Sequence, residues 1–126
     1  DYPFHIFIGI TSAKDIDVSK RLFLDTDYDY YAFSNGGLKY DKRHCHSDGL
    51  NTGLHWGFDQ NDYVIMELNP MEQSLKYYVI KEEDGDKEFK CSFENINFDD
   101  KIYRMAVSIW CANSVIELIQ FKKLPL

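Results

Sequence analysis

Short runs in which apolar and polar positions alternate dominate this chain. Phe4, Ile6, Ile8 and Ile10 alternate with His5, Phe7, Gly9 and Thr11. Tyr103, Met105, Val107 and Ile109 alternate with Arg104, Ala106, Ser108 and Trp110. A period of two sends every second side chain to one face of an extended strand, so both runs predict half-buried strands. Phe89, Cys91 and Phe93 alternate with Lys90 and Ser92 and predict a third, with the Cys91 thiol in the core. Residues 63–68, 75–80 and 115–121 are apolar on both parities, the pattern of central strands in packed sheets. Residues 28–33 add a strongly aromatic strand, on which Tyr30 faces away from Tyr31 and Phe33.

Turn signals separate these runs. Asn35-Gly36-Gly37 suits a tight hairpin that needs positive φ. Asn69-Pro70 stops one strand, Asp84-Gly85-Asp86 turns the next, and Asn113-Ser114 parts the last two. Turns every ~8–12 residues point to an antiparallel β-sandwich or barrel. Residues 16–22 could form a helical turn or two, too short to stand alone. No repeat or linker divides the chain, so residues 1–126 read as one domain. The longest irregular stretches, 12–26 and 41–56, are the first places to seek a binding surface.

Composition narrows the class. With 44% hydrophobic and 16% aromatic residues the chain is too apolar for disorder, and its longest apolar runs are strand-length, not bilayer-length. A net charge of −7 argues against a phosphate backbone as the main ligand and favours a neutral or basic partner segment. Three cysteines without CxxC spacing predict no disulfide framework, and none of the seven asparagines begins a glycosylation sequon. Both features suit a reducing, cytoplasmic setting. The chain opens at Asp1 without methionine or signal peptide and is expected to be a piece of a longer one.

Candidate chemistry is sparse. His44, His46 and His55 could converge on a metal with Cys45, but the paired spacings of zinc sites are missing, and solvated loop histidines are the simpler reading. Asp25, Asp27 and Asp29 begin like a calcium loop, yet Tyr30 and Gly36 stand where an EF-hand needs Gly and Glu. No nucleophile elbow or phosphate-cradling glycine loop is present, so neither an enzyme nor a cofactor is expected. The rings of Tyr30, Tyr31, Phe33 and Trp110 either cover a second sheet or form an exposed aromatic patch for protein recognition.

The order of motifs adds a resemblance. Gly57 through Leu68, reading GFDQNDYVIMEL, resembles the "f-x-x-G-D-v-I-g-v-x-l-D" strand of SPRY domains. Gln73 through Val79 is similar to that family's "g-t-l-s-F-x-x-N-G", and Phe89 through Ile96 to "G-x-A-F-x-x-i". Tyr103 through Ile109 is similar to "l-Y-P-a-V-s-l", and Ser114 through Phe121 to the closing "s-v-x-l-x-F". Phe7 through Thr11 resembles "w-x-i-G-v-a", and Tyr30 through Lys39 "g-y-x-x-d-G-k". Asn61 replaces a glycine of the pattern, Glu83-Asp84-Gly85-Asp86 replaces an Asn-Gly turn, and the strands preceding "i-G-v" are not in this sequence. An unpaired sheet edge open to association is the expected consequence.

The resemblance implies a concanavalin-like jelly-roll sandwich, incomplete at its N-terminus, that binds peptides or protein surfaces through loops at one rim and catalyses nothing. Such domains serve in ubiquitin ligases and scaffolds, as substrate receptors among other roles. Carried onto this sequence, the rim comprises Asp15, Asp17, Tyr31, Phe33, Trp110 and Asn113. The alternative is a calcium- or carbohydrate-binding, lectin-like sandwich built on Asp25, Asp27 and Asp29.

Overall fold

The structure, a computed structural model, describes residues 6–15, 28–41, 45–46 (backbone), 57–109 and 115–120. Eight strands follow in chain order: β1 (Ile6–Thr11), β2 (Tyr30–Ser34), β3 (Lys39–Asp41), β4 (Cys45–His46), β5 (Tyr63–Asn69), β6 (Ser74–Ile80), β7 (Lys87–Phe93) and β8 (Arg104–Ile109). No helix occurs among the described residues. One sheet has the order β4-β3-β2-β1-β8 and the other β5-β6-β7, and every pairing is antiparallel.

The turns form as their residues dictate. Gly37 N–H donates to the Ser34 carbonyl at 3.0 Å, and Gly37 takes φ 88°, the positive value expected of this hairpin. Asn69 Oδ1 accepts the N–H groups of Met71 and Glu72, both at 3.1 Å, and turns β5 into β6. At the next turn Gly85 N–H donates to the Lys81 carbonyl at 2.8 Å.

The sheets pack face to face, and their side chains meet in facing rows. Register places Tyr31, Ile10 and Met105 in one row of the first sheet, and Phe33, Ile8 and Val107 in the next. The second sheet offers Phe93, Leu75 and Leu68, then Cys91, Tyr77 and Met66. Tyr31 meets Phe93 edge-on at 5.1 Å between ring centroids, and Phe33 meets Tyr77 at 5.2 Å, so these rows oppose each other. Tyr77 is fully buried, and its hydroxyl donates to the Ile8 carbonyl at 2.8 Å across the sandwich. At Gly9, a Cβ would sit 2.1 Å from the Tyr31 carbonyl oxygen, which only glycine avoids.

A second, smaller cluster lies on the far face of the first sheet: Phe7, Tyr30, Ala32 and Tyr40, with Leu38 and Ala106 against them. Tyr30 therefore does face away from Tyr31 and Phe33, with both faces of β2 covered.

Three expectations change. Residues 115–120, predicted as a central strand, form none and are exposed. β5, also predicted as central, is an edge strand with no fully buried residue, because its only described partner is β6. Phe89, predicted to be inward with Cys91 and Phe93, is 56% exposed. The cause is a β-bulge: Tyr77 pairs with Cys91 but Tyr78 with Phe89, leaving Lys90 as the extra residue. Cys91 and Phe93 stay in the core, and Phe89 turns outward.

Tyr77→Phe should lower unfolding free energy by about 1 kcal/mol, the net worth of one hydrogen bond. Gly9→Ala should lower it by about 1–3 kcal/mol through overpacking. Guanidinium unfolding of both variants measures this, and a Gly9→Ala protein as stable as the parent would contradict the close strand approach.

Candidate interaction surface

The predicted rim residues scatter. Asp15 is exposed beyond β1, at the end where Ser12 N–H donates to the Asp29 carbonyl at 2.9 Å and Arg104 Nη1 to the Ala13 carbonyl at 3.1 Å. Tyr31 is half-buried between Phe93 and Tyr103. Phe33 is a correction: at 0% exposure, packed on Phe58 and Tyr77, it belongs to the core and presents nothing to a partner. Its parity on β2 points it between the sheets. Asp17, Trp110 and Asn113 lie outside the described residues.

That rim carries Asp15, Asp29, Asp99 and Asp100 around an exposed Ile102. Lys101 is paired with Asp29. Beneath them Tyr103 contacts Tyr31 and Phe98, and its phenol is pushed up to about 12 by burial, with Tyr31 and Asp29 adding to the rise. Of the predicted calcium set only Asp29 is described; among the histidines, His44 and His55 lie outside the described residues and His46 is described in backbone alone.

A more continuous apolar surface lies elsewhere, on the outer face of β5-β6-β7. Register sets Tyr63, Ile80 and Lys87 in one row and Ile65, Tyr78 and Phe89 in the next. A polar row of Glu67, Lys76 and Ser92 follows. Tyr63 is 55% exposed, and Ile65, Tyr78 and Ile80 are half-buried. Tyr78 and Phe89 meet edge-on at 5.6 Å, and Lys87 Nζ lies 4.4 Å from the Tyr78 centroid. Lys76 lies 3.9 Å from Glu72. An apolar centre with a polar margin is the anatomy of a protein interface. Alternation hid this surface, because only the bulge at Lys90 sends Phe89 to join Tyr78.

The same sheet is braced by a buried ion pair. Lys81 Nζ donates to Asp62 Oδ2 at 3.0 Å and to the Gly57 carbonyl at 3.4 Å. Burial alone would raise the Asp62 pKa, but the N–H groups of Asp59 and Glu82 together with Lys81 outweigh it and hold the carboxyl below its ordinary value. Cys91, in the core as expected, has its thiol pushed up to about 12 by burial, opposed by the charge of Lys39. A thiol so protonated is a poor nucleophile.

No protein-family model, no curated protein and no solved structure matches this chain.

Asp62→Asn should destabilise the fold by about 3 kcal/mol at pH 7, because Lys81 stays buried after losing its main counter-charge. A depressed carboxylate pKa stabilises above the unfolded value near 3.8 and loses that contribution as pH falls through the lower folded value. The gap between parent and variant should therefore narrow below about pH 4, as chemical denaturation across pH will measure. Cys91 should react with a maleimide at pH 8 only at the rate of unfolding, followed by peptide mapping; rapid native labelling would remove it from the core.

Proposed function

We propose that this chain is a non-catalytic protein-interaction module, a SPRY-like jelly-roll sandwich that docks on another protein through the outer face of β5-β6-β7. The observation that carries the reading is the contiguous lattice of Tyr63, Ile65, Tyr78, Ile80 and Phe89, bordered by Glu67, Lys76 and Lys87. Phe89 and Tyr63 contribute little to the core at their exposures, yet the bulge assembles them with Tyr78 into one patch. Large rings of this kind supply most of the energy at protein interfaces. Lys87 lies over Tyr78 and Lys76 lies beside Glu72, so the patch suits a neutral, apolar-centred partner surface. The motif order shared with SPRY domains supports the same class of function, as substrate receptor or scaffold part of a larger assembly. It leads to loops rather than to this sheet face as the contact.

The rim is the second reading, favoured by the exposed Ile102 among Asp15, Asp29, Asp99 and Asp100, which suits a basic segment. The lectin-like alternative has less support, since its described member Asp29 is engaged by Lys101.

Affinity capture with matched variants separates these readings. Tyr63→Asp with Phe89→Asp should abolish capture of the partner while changing stability by less than about 1 kcal/mol, as surface substitutions do. Ile102→Asp should leave capture intact. The opposite pattern transfers the function to the rim, and calorimetric heat on adding calcium would favour the lectin-like reading.

A further inference from the structure

The two flanks of the sandwich are finished differently. β7 lies over β2 and β3, as the Tyr31–Phe93 contact shows, and Lys39 Nζ of β3 donates to the Ser92 carbonyl at 2.8 Å. That ammonium also sits 5.1 Å from the Phe93 centroid, closing the flank. β6 lies over β1 and β2 through Tyr77, so the same order puts β5 on the side of β8. Here Met105, Val107 and Ile109 of β8 face Leu68, Met66 and Val64 of β5. Their outer members are open: Met105 is 45%, Leu68 44% and Ile109 39% exposed, although their parity points them into the seam between the sheets.

The four described sheet edges also differ in protection. β4 is two residues long, and β7 carries Lys87, Glu88 and Lys90 and is bulged. Short length, charge and bulges all blunt strand addition. β8 has no charge after Arg104, and β5 has Glu67 alone. Both unblunted edges border the same open seam.

A strand to fill that seam must be about six residues long to match β8, nearly uncharged and apolar on both faces. Residues 115–120, Val-Ile-Glu-Leu-Ile-Gln, have that length and pattern. In the single chain they form no strand, and Val115, Ile116, Leu118 and Ile119 stand exposed. We propose that the β5/β8 flank is closed by residues 115–120 of a second copy of this chain, in a reciprocal two-fold exchange that pairs the segment with the edge of β8. The exchange covers the open seam and the exposed segment at once and, being isologous, closes at two subunits. It is independent of the outer-face reading, since the seam and the Tyr63–Phe89 patch lie on different surfaces.

Sedimentation equilibrium of the full chain from about 1 to 200 µM, with hydrogen exchange at both limits, tests the proposal. The expected result is a concentration-dependent dimer in which amides 115–120 are protected, and exposed when diluted. Ile116→Asp with Leu118→Asp should give a monomer with unchanged circular dichroism and intact Tyr63/Phe89-dependent capture. Met105→Lys should weaken the dimer from the receiving side, and a folding defect in that variant leaves the segment variant to decide. Three results overturn the proposal: a monomer throughout the range, a dimer that survives Ile116→Asp/Leu118→Asp, or protection of 115–120 in the monomer. The last assigns the segment to its own flank. A monomer with the seam already protected assigns the flank to another strand.

Discussion

Everything in the sandwich is referred to one contact, the Tyr77 hydroxyl on the Ile8 carbonyl. It joins the middle strand of the small sheet to β1 of the large one at full burial, where a phenol without a partner would carry a large desolvation cost. The Ile8 carbonyl at 2.8 Å is the nearer acceptor of the Tyr77 hydroxyl and the Tyr31 carbonyl lies at 3.5 Å, so sliding the sheets by a row would take the hydroxyl away from both. The opposition of Tyr31 to Phe93 and of Phe33 to Tyr77 follows from that register. Burial also keeps the phenol protonated, its pKa raised well above the ordinary value by desolvation and by Cys91.

The departures from regularity on the small sheet all involve charge. The bulge buries Lys90, whose ammonium reaches Glu88 at 3.3 Å, beside a Cys91 that keeps its core place. Lys81 is buried against Asp62 at the end where the sheet meets Gly57. Lys39 crosses from one sheet to the other and seals a flank. Buried lysines are tolerated here because each finds a carboxylate or carbonyl oxygen within reach. Lys39 closes one side of the sandwich, and nothing comparable among the described residues closes the other.

Much of the fold was legible because antiparallel strands over a core must alternate. β1, β7 and β8 fall where the period-two runs lie, β2 on the aromatic run and β6 on an apolar one, and the glycine and aspartate turns separate strands as their backbone chemistry requires. The surface was far less legible. Phe33 on β2 and Phe89 on β7 are equally apolar, and no local signal distinguishes a ring bound for the core from one bound for solvent. Phe33 is placed by the row it shares with Ile8, and Phe89 by a single inserted residue, Lys90, beside it in β7. Of the expected rim residues, Asp15 is exposed, Tyr31 is half-buried and Phe33 is in the core, a spread that alternation along single strands does not reveal.

By itself, the sequence determined most of the strand content, most turns and the opposite faces of Tyr30 and Tyr31. These are consequences of side-chain periodicity and of backbone angles that few residues adopt. Only the tertiary structure decided which strands lie at the edges, which parity of β7 survives the bulge, and whether residues 115–120 join a sheet. Those outcomes depend on pairing between segments distant in the chain. An apolar strand reads the same whether its neighbour is present or missing.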